Sequence, residues 1–362
     1  MKIYISCNGL GLGHVGRSLA FANMLKKRGD EVIFASWGPA VDFAKKEGYK
    51  CYRLPNIDWY DREDGSLDFA KTILYSPAII AKLLKLISKE KQIILKEKPS
   101  VIVSDNNFAH IAAKKINVLS IFLTHQITFR QAGKIFDKIL CMLHKSNFSR
   151  VDKMCINDLE PPNSIYPLSV LKGKRGVYVG PLIRNEPPKQ VRKGKKKLCF
   201  ILISGPKQSP YAFEKEILKI EGEFLKMKEW DFIIKAPSKI PGKSNIKYVQ
   251  WLDDIYKYLS KCDVFVSRSG YSTVCDVLAY AKKSILIPQI NQSEQEIIAE
   301  HLNKKHLAVA LEQKKMKNLP GLIRQLRKDR QMEKNLETFS ELIKKDSGAQ
   351  NIVKVIDCLA HR

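Results

Sequence analysis

The sequence predicts an α/β protein with two doubly wound domains, each built around a sheet of parallel strands. Short apolar segments of strand length alternate with longer amphipathic segments of helical period, first near the N-terminus and again after residue 197. A chain of 362 residues is also longer than one hydrophobic core ordinarily supports. Together, these observations place one domain in each half of the chain.

The first half shows the alternation expected of β-α-β units. Strands are predicted over residues 3–6, 31–36, 101–104 and 120–124, and helices over residues 15–27, 41–47 and 107–115. Because strands joined through a helix run parallel, we expect a sheet that is covered by helices on both faces.

The second half repeats this pattern after a break. Strands are predicted over residues 198–204, 232–235, 263–267 and 284–288. The segment between residues 180 and 197 combines Gly, Pro and a basic run without apolar period, which indicates a linker. We therefore predict a first domain over residues 1–183, a basic linker over 184–197 and a second domain over 198–340.

The last segment, residues 341–362, is predicted to form a helix. Its apolar residues recur at helical spacing: Ile352, Val353, Val355, Ile356 and Leu359. An apolar face of this kind must pack against other residues, and we expect the helix to cross back onto the first domain.

The composition is strongly basic. The 63 Lys and Arg residues outnumber the 37 Asp and Glu residues, and the net charge of +26 is spread over both halves. Such an excess favours an anionic partner or surface. The eight cysteines include no Cys-x-x-Cys pair, which argues against structural zinc and a disulfide framework. Without an apolar span or a signal-peptide pattern, a cytoplasmic protein is expected.

A glycine-rich turn follows the first predicted strand. Gly11, Gly13 and Gly16 have the spacing of a dinucleotide-binding fingerprint. A dinucleotide site would also need an acidic residue at the end of the second strand, where Ser36 stands instead. We therefore expect no dinucleotide cofactor.

His14 lies in the same turn, at the carboxyl end of a strand, where parallel sheets bind their ligands. An imidazole titrates near neutral pH and can accept a proton from a hydroxyl group. We predict a catalytic role for His14. The alternative is that it only packs on its own turn or caps it.

A second strand-to-helix turn follows Ser267. With a turn at Gly270 and a helix that begins near Ser272, it offers backbone N–H groups and the positive end of a helix dipole to a phosphate. Asp276 has two interpretations. It can bind the ribose of a nucleotide, or it can form a capping box with Thr273.

Two further strand ends carry polar residues. Ser204 and Gly205 can contact phosphate or form a plain surface turn. After the strand that ends at Pro288, the uncharged side chains of Gln289, Gln292 and Gln295 suit a neutral polyol, with a solvated helix start as the alternative.

In this order, these segments resemble the MurG-like nucleotide-sugar glycosyltransferases of the GT-B fold, over nearly the whole chain. The segment Arg268-Ser269-Gly270-Tyr271-Ser272-Thr273-Val274-Cys275-Asp276 matches the family's Arg-Ser-Gly-x-x-Thr-x-x-Glu motif, with Asp in place of Glu. Leu12-Gly13-His14 is similar to the family's Gly-Gly-His. The resemblance implies two Rossmann-like domains that face a central cleft.

The resemblance also implies roles for individual residues. His14 would handle the acceptor hydroxyl, Asp105 would be a second candidate for the base or would orient it, and His125 and Gln126 would lie on the acceptor side. The donor-binding residues would be Gly13, Arg184, Ser204, Gly205, Arg268, Ser269, Gly270, Ser272, Thr273, Asp276 and Gln295. For Arg184, which follows a Gly-Pro segment, a solvated linker charge is the alternative. Glu296 replaces a second family glutamine, so the donor sugar need not be N-acetylglucosamine.

The predicted function is transfer of a hexose or N-acetylhexosamine from a nucleotide diphosphate-sugar, UDP-linked, to an acceptor hydroxyl, with inversion. No Asp-x-Asp triplet occurs, so we expect neither an obligatory metal nor a cofactor. Basic amphipathic segments at residues 78–89 and 134–150 suggest a lipid-linked acceptor at an anionic inner membrane face, unless their apolar faces only enter the core.

Two alternatives stay open at this point. One is an enzyme of the UDP-N-acetylglucosamine 2-epimerase kind on the same fold. The other is a nonspecific nucleic-acid-binding protein, suggested by the charge of +26, although the basic residues lie in no recognised motif. The sequence does not name the sugar, the acceptor or the oligomeric state.

Overall fold

The computed structural model describes residues 1–57, 75–128, 151–171, 176–188, 196–205, 208–252 and 254–361, together with Arg62, Lys71 and Gly194. These residues form two compact units. One contains the described residues up to Arg184, except Arg62, together with those from Asp346 onward, and the other contains Arg62 and Asn185–Lys345. The second unit extends further than the predicted boundary at residue 340, because the helix over Arg330–Lys345 packs within it.

Each predicted strand is present in the structure, and further strands and helices lie between them. The strands are β1 (Lys2–Cys7), β2 (Glu31–Ser36), β3 (Lys50–Arg53), β4 (Val101–Asp105), β5 (Leu119–Thr124), β6 (Lys153–Ile156), β7 (Gly176–Tyr178), β8 (Lys197–Leu202), β9 (Trp230–Lys235), β10 (Ile246–Val249), β11 (Val264–Ser267), β12 (Ser284–Leu286) and β13 (Val309–Ala310). The α-helices are α1 (Gly13–Lys27), α2 (Pro39–Lys46), α3 (Ser76–Glu97), α4 (Ala109–Lys115), α5 (Ser209–Lys219), α6 (Glu221–Leu225), α7 (Tyr256–Leu259), α8 (Tyr271–Ala279), α9 (Ser293–Lys304), α10 (Leu319–Lys328), α11 (Arg330–Lys345) and α12 (Gly348–Ala360). A 3-10 helix spans Gln313–Asn318.

The first unit is a doubly wound sheet of seven parallel strands in the order β3-β2-β1-β4-β5-β6-β7. Side chains alternate along β1, so that Ile3 and Ile5 join the core beneath α1 and α12. Tyr4 points to the other face and joins the core beneath α3 and α4. The predicted return of the C-terminal helix to the first domain is confirmed, since Ile352 and Ile356 of α12 are fully buried in the α1 core.

The second unit is a sheet of six parallel strands in the order β10-β9-β8-β11-β12-β13. In both sheets, the order in which the chain adds strands reverses beside the first strand. The reversal lies between β1 and β4 in the first sheet and between β8 and β11 in the second. In open α/β sheets, the carboxyl ends of the strands beside such a reversal bind the ligand. The predicted catalytic and phosphate-binding turns follow β1 and β11, so each lies at one of these two points.

A buried carboxyl group lies between α3 and β1. Glu90 is fully buried and accepts hydrogen bonds from the hydroxyl groups of Tyr4 and Ser6, the latter at 2.5 Å. The amide Nδ2 of Asn107, just after β4, donates to Ser6 Oγ at 2.7 Å. Burial raises the pKa of Glu90 to about 7, although the hydrogen bonds from Ser6 and Tyr4 act in the opposite direction.

Replacing Glu90 with Gln is expected to stabilise the protein at pH 8 and to change little at pH 5. An unfolded Glu titrates near pH ~4.3. The folded state therefore holds this proton more tightly, and the wild-type free energy of unfolding falls as pH rises towards the folded pKa of about 7. The loss should approach roughly 3 kcal/mol by pH 8. Gln does not ionise, so the variant does not suffer this loss of stability. Thermal unfolding of both proteins at both pH values measures the difference.

Glu97, on the same helix, provides the matched control. Hydrogen bonds from Lys50, at 2.8 Å, and from Tyr52 lower the pKa of Glu97. Its ionised form therefore stabilises the fold above the unfolded pKa, so Glu97→Gln should lower the melting temperature at pH 8. The interpretation of Glu90 is wrong if both substitutions shift the melting temperature in the same direction at that pH.

Candidate functional site

The turn between β1 and α1 is held close to the end of β2. A Cβ atom on Gly9 would lie 2.3 Å from the carbonyl oxygen of Trp37, so this position requires glycine. At Gly11 and Gly16, by contrast, a Cβ atom would meet no atom within 4 Å. Steric contact with other residues therefore does not explain the glycines at positions 11 and 16. The space beside both is open.

His14 is the second residue of α1 and contacts the end of β4. Its Nδ1 lies 3.0 Å from Oδ1 of Asp105. The His14 side chain is 21% exposed, whereas that of Asp105 is fully buried. No side chain caps the start of α1. His14 therefore does more than pack on or cap its own turn, part of its side chain is exposed, and its catalytic role remains a prediction.

Asp105 is held as a carboxylate. Burial acts to raise its pKa, but the charges of Arg17 and His14 and their hydrogen bonds outweigh burial and bring the pKa well below its usual range. Ser18 Oγ also donates to Oδ2 at 2.9 Å. At neutral pH Asp105 can therefore only accept hydrogen bonds, and it can orient His14 but cannot itself donate a proton.

Sequence analysis missed Arg17, which connects the predicted acceptor-side residues. Its Nε lies 2.9 Å from Oδ2 of Asp105, and its Nη2 also donates to that carboxylate. Its Nη1 lies 3.0 Å from Nδ1 of His125, which follows β5. The only signal in the sequence is that Arg17 stands three residues after His14, on the same face of a helix.

Gln126 follows His125, and both side chains are buried. The backbone N–H of Gln126 donates to Thr124 Oγ1 at 3.1 Å. Four predicted residues thus come from neighbouring strand ends: His14 follows β1, Asp105 ends β4, and His125 and Gln126 follow β5.

In the second unit, α8 begins at Tyr271 with Gly270 as the preceding cap residue, and no side chain caps it. Asp276 lies beyond the first turn, so the capping-box interpretation with Thr273 is wrong. Gly270 has a φ of −66°, which any residue adopts, and a Cβ atom there would meet no atom within 4 Å. Among the described residues, no atom therefore lies against this side of the turn.

Arg268 is buried beside this turn and only partly satisfied. It is 3% exposed, and its Nη1 donates to the carbonyl groups of Ile287 and Pro288 at 3.2 and 3.0 Å. The guanidinium lies 4.5 Å from the ring centroid of Phe213. Within the described part of the protein, its Nε and Nη2 have no hydrogen-bond partner. Burial lowers the pKa of Arg268 to about 10, so it stays cationic at neutral pH.

Ser269 and Gln295 tie the turn after β11 to the start of α9. Ser269 Oγ donates to the carbonyl oxygen of Gln295 at 2.8 Å. The side-chain oxygen of Gln295 accepts the backbone N–H of Gln289 at 3.0 Å. Gln289 is buried, so a solvated helix start does not describe it. Gln292 caps α9 by accepting the backbone N–H of Gln295 at 2.6 Å.

Asp276 has a partner that the sequence did not indicate. Its Oδ2 accepts a hydrogen bond from the Tyr256 hydroxyl at 3.2 Å, and the Tyr256 ring stacks on Tyr280 at 5.6 Å between centroids. Ser272 and Thr273, in the first turn of α8, are half-buried. The structure thus groups these residues with Arg268, Ser269 and Gly270 around one helix start.

Ser204 and Gly205 follow β8, the strand next to β11. Gly205 has a φ of +141°, a backbone conformation that favours glycine. Both lie at the reversal point of the second sheet, and their contact with phosphate remains a prediction.

Arg184 is placed differently from the other predicted donor-binding residues. Its Nη2 donates to Glu47 at 2.7 Å, and its guanidinium lies 4.9 Å from the ring centroid of Phe43. The side chain is only 17% exposed, so the solvated-linker alternative is wrong. These contacts are all within the first unit, and the nucleotide-binding roles of Arg184 and Gly13 remain predictions.

Two further predictions concern metals and the acceptor. In the ranges described above, no group of three or more His, Cys, Asp or Glu residues is arranged to hold a metal ion. The basic segment over residues 134–150 lies outside the described residues.

The chain is similar to known glycosyltransferases in sequence and in fold. Residues 212–356 match the glycosyltransferase family 28 C-terminal domain. An uncharacterized glycosyltransferase of Methanosarcina acetivorans is 26% identical over 321 residues, which cover 82% of each chain. The UDP-N-acetylglucosamine–N-acetylmuramyl-(pentapeptide) pyrophosphoryl-undecaprenol N-acetylglucosamine transferase of Clostridium perfringens is 26% identical, with 100% of both chains covered. The calicheamicin glycosyltransferase CalG4 superposes with a TM-score of 0.71 at 15% identity, covering 99% of this chain and 98% of that one.

The fold is therefore that of the GT-B glycosyltransferases, as the sequence predicted. These similarities support the predicted resemblance to the MurG-like nucleotide-sugar glycosyltransferases. These relationships do not favour the 2-epimerase alternative.

Proposed function

We propose that the protein transfers a hexose or N-acetylhexosamine from a UDP-linked sugar to a hydroxyl group of a lipid-linked acceptor, with inversion at the anomeric carbon. The observation that carries the proposal is the buried Arg268 cation beside the start of α8, whose Nε and Nη2 have no hydrogen-bond partner among the described residues. A buried charge without full pairing is costly, and a diphosphate would supply the missing acceptors.

The nucleotide would bind around the start of α8. Its diphosphate would accept hydrogen bonds from Arg268 and from the first N–H groups of the helix, where the helix dipole also favours negative charge. Asp276, held by the Tyr256 hydroxyl, would accept hydrogen bonds from ribose hydroxyls. A carboxylate in this role favours a ribonucleotide, which supports UDP over TDP. Gln295 offers its amide NH₂ group to the sugar.

The acceptor hydroxyl would be activated by His14. If Nδ1–H donates to the Asp105 carboxylate, Nε2 carries the lone pair that removes the hydroxyl proton. The oxygen then bonds to the anomeric carbon as the bond to the diphosphate oxygen breaks. Displacement from the opposite face inverts the configuration. The leaving diphosphate keeps the electron pair, and Arg268 with the α8 N–H groups stabilises its charge, so no metal is required.

A lipid-linked acceptor is supported by α3. From Pro77 to Lys85 this helix has no buried residue, and Ile80 and Leu84 are 56% and 63% exposed. They stand four residues apart on one face, with exposed Lys82 and Lys85 nearby. Only the second half of α3 enters the core, through residues such as Leu86 and Ile93. An apolar face bordered by lysines suits the surface of an anionic membrane.

Within the described ranges, no helix has the length and hydropathy needed to cross a bilayer. The transferase of Clostridium perfringens acts, by its name, on a pyrophosphoryl-undecaprenol acceptor. A peripheral enzyme that binds such an acceptor at the membrane surface is consistent with both observations.

Replacing both Ile80 and Leu84 with Ser is expected to weaken binding to anionic vesicles roughly tenfold, because two apolar side chains would no longer enter the lipid. Sedimentation with phosphatidylcholine–phosphatidylglycerol vesicles at low salt measures the binding. Leu218→Ser is the matched control, since Leu218 is 40% exposed on α5 of the other unit. If wild-type protein does not sediment with these vesicles, the membrane proposal fails.

A thermal-shift screen of UDP, GDP, TDP and their glucose and N-acetylglucosamine conjugates tests the donor. A ligand at 100 times its Kd stabilises a protein by about 2.7 kcal/mol. We expect UDP and a UDP-sugar to raise the melting temperature more than TDP does. Transfer is then measured with a detergent-solubilised pyrophosphoryl-undecaprenol acceptor, with and without EDTA. Retained anomeric configuration, or activity abolished by EDTA, would overturn the proposed mechanism.

A further inference from the structure

We propose that Arg17 is a positioning residue that gives His14 and His125 opposite protonation patterns, with the proton of His14 on Nδ1 and that of His125 on Nε2. The proposal rests on the proposed role of His14 as the base. Its test includes a measurement that does not need glycosyl transfer.

The Arg17 side chain is 2% exposed and contacts both histidines and Asp105. A buried guanidinium in the second turn of a helix is unfavourable by itself, since both desolvation and the helix dipole oppose a cation there. Its neutralisation by the fully buried Asp105 allows it to remain. The arrangement is therefore specific, because one planar guanidinium group must contact three partners. These are His14 after β1, Asp105 at the end of β4 and His125 after β5.

The tautomer of His125 follows from the donor at its Nδ1. An arginine cannot accept a hydrogen bond, so Arg17 Nη1, 3.0 Å away, must donate to Nδ1. Neutral His125 then carries its proton on Nε2.

The tautomer of His14 depends on which neighbour controls Nδ1. Asp105 Oδ1 lies 3.0 Å from Nδ1, and Arg17 Nη2 lies 2.9 Å from it. Nη2 also donates to Asp105. A ring nitrogen serves only one of these two contacts as donor or acceptor, and Asp105 can only accept. We assign the proton to Nδ1 on its contact with Asp105, which leaves the lone pair on Nε2, and the ¹⁵N spectra test this assignment. Arg17 supplies the positive charge that neutralises Asp105. Without Arg17, Asp105 would favour a second proton on His14.

Among the described residues, the charged and titratable groups that face this cluster include Arg17 and His14 on α1, Asp105 on β4 and His125 after β5. They also include the Cys7 thiol on β1, whose pKa burial and Asp105 raise, and Tyr166, whose ring lies 6.2 Å from that of His125. Without Arg17, Asp105 would be a buried carboxylate facing two histidines. Protonation of His14 would then compensate the charge and remove the base.

Arg17→Met tests the proposal through ¹⁵N NMR spectra of labelled histidines at pH 7.5, assigned with His14→Gln and His125→Gln. The wild-type protein should show Nδ1–H for His14 and Nε2–H for His125. In Arg17→Met, His14 should become doubly protonated. Ser18→Ala is the matched control: it also removes a hydrogen bond to Asp105 but leaves the charge, so it should keep the wild-type histidine signals.

Kinetics give the second readout. Arg17→Met should lower kcat at least about 100-fold with the donor KM within about twofold, and Arg17→Lys should recover most of the loss because it restores the charge. If Arg17→Met does not fold, the NMR experiment uses Arg17→Lys instead. A lysine has one donor nitrogen, whereas the arginine guanidinium has three. His14 should therefore keep its protonation pattern, and His125 should lose it.

A wild-type His14 with its proton on Nε2, or histidine signals unchanged by both Arg17 substitutions, would overturn the proposal. A failure of the proposed function looks different: no sugar transfer would be detected, while the predicted histidine signals would be present.

Discussion

His14→Ala is expected to lower kcat by about 10² to 10⁴-fold, the range typical of a lost general base. The affinity for UDP should change less than twofold, because the proposed donor residues lie in the other unit. The substitution leaves the contact between Arg17 and the Asp105 carboxylate in place, so the fold should be retained. Steady-state transfer kinetics and a binding titration with UDP measure the two effects separately.

His306→Ala is the matched control for this experiment. His306 also pairs with an aspartate, with its Nε2 3.0 Å from Oδ2 of Asp329, but its side chain is 47% exposed and belongs to the second unit. Its removal should leave kcat unchanged. A His14→Ala protein that loses donor affinity and kcat to the same extent would contradict a catalytic role for His14.

Arg268→Met is expected to weaken UDP binding by roughly 10- to 150-fold. This range corresponds to the loss of one hydrogen bond from a charged group to the diphosphate, about 1.5–3 kcal/mol. The stability of the nucleotide-free protein should stay equal or increase, because methionine removes a buried charge whose Nε and Nη2 are unsatisfied. Opposite effects on affinity and stability distinguish a binding residue from a structural one, and calorimetry with thermal unfolding measures both.

Arg330→Met is the control, since the Arg330 side chain is 85% exposed in the same unit and should affect neither quantity. Gly270→Ala is a second test, because its Cβ atom would meet no protein atom within 4 Å yet would enter the space proposed for the phosphate. Wild-type UDP affinity in both Arg268→Met and Gly270→Ala would show that the diphosphate does not bind at this turn.

The sequence predicted the longer strands well because a buried parallel strand needs a continuous run of apolar residues. The predicted strand over residues 101–104 corresponds to β4, for example, and that over 263–267 to β11. The strands β3, β6, β7, β10 and β13 were missed, since runs of two to four residues carry no readable period. The strand predicted to reach residue 204 ends at Leu202, where the pairing with β11 stops.

The candidate site was predicted in part. His14, Arg268 and Gly270 were identified from short local motifs beside strand ends. Arg17 and Tyr256 were not, because their partners Asp105 and Asp276 stand 88 and 20 residues away in the chain. Glu90 was missed for the same reason: in the sequence it is one more charge on a basic helix, and its burial depends on contacts with β1.

The sequence by itself determined the two α/β repeats, the two turns proposed to bind ligands and the resemblance to a family, because each of these depends on residues that are neighbours in the chain. The tertiary structure decided which charges are buried and which partners meet them. That depends on strands β1, β4 and β5 lying side by side, so that residues distant in the chain share one sheet edge. Pairing between such residues leaves no period or spacing in the sequence, and only the folded chain shows it.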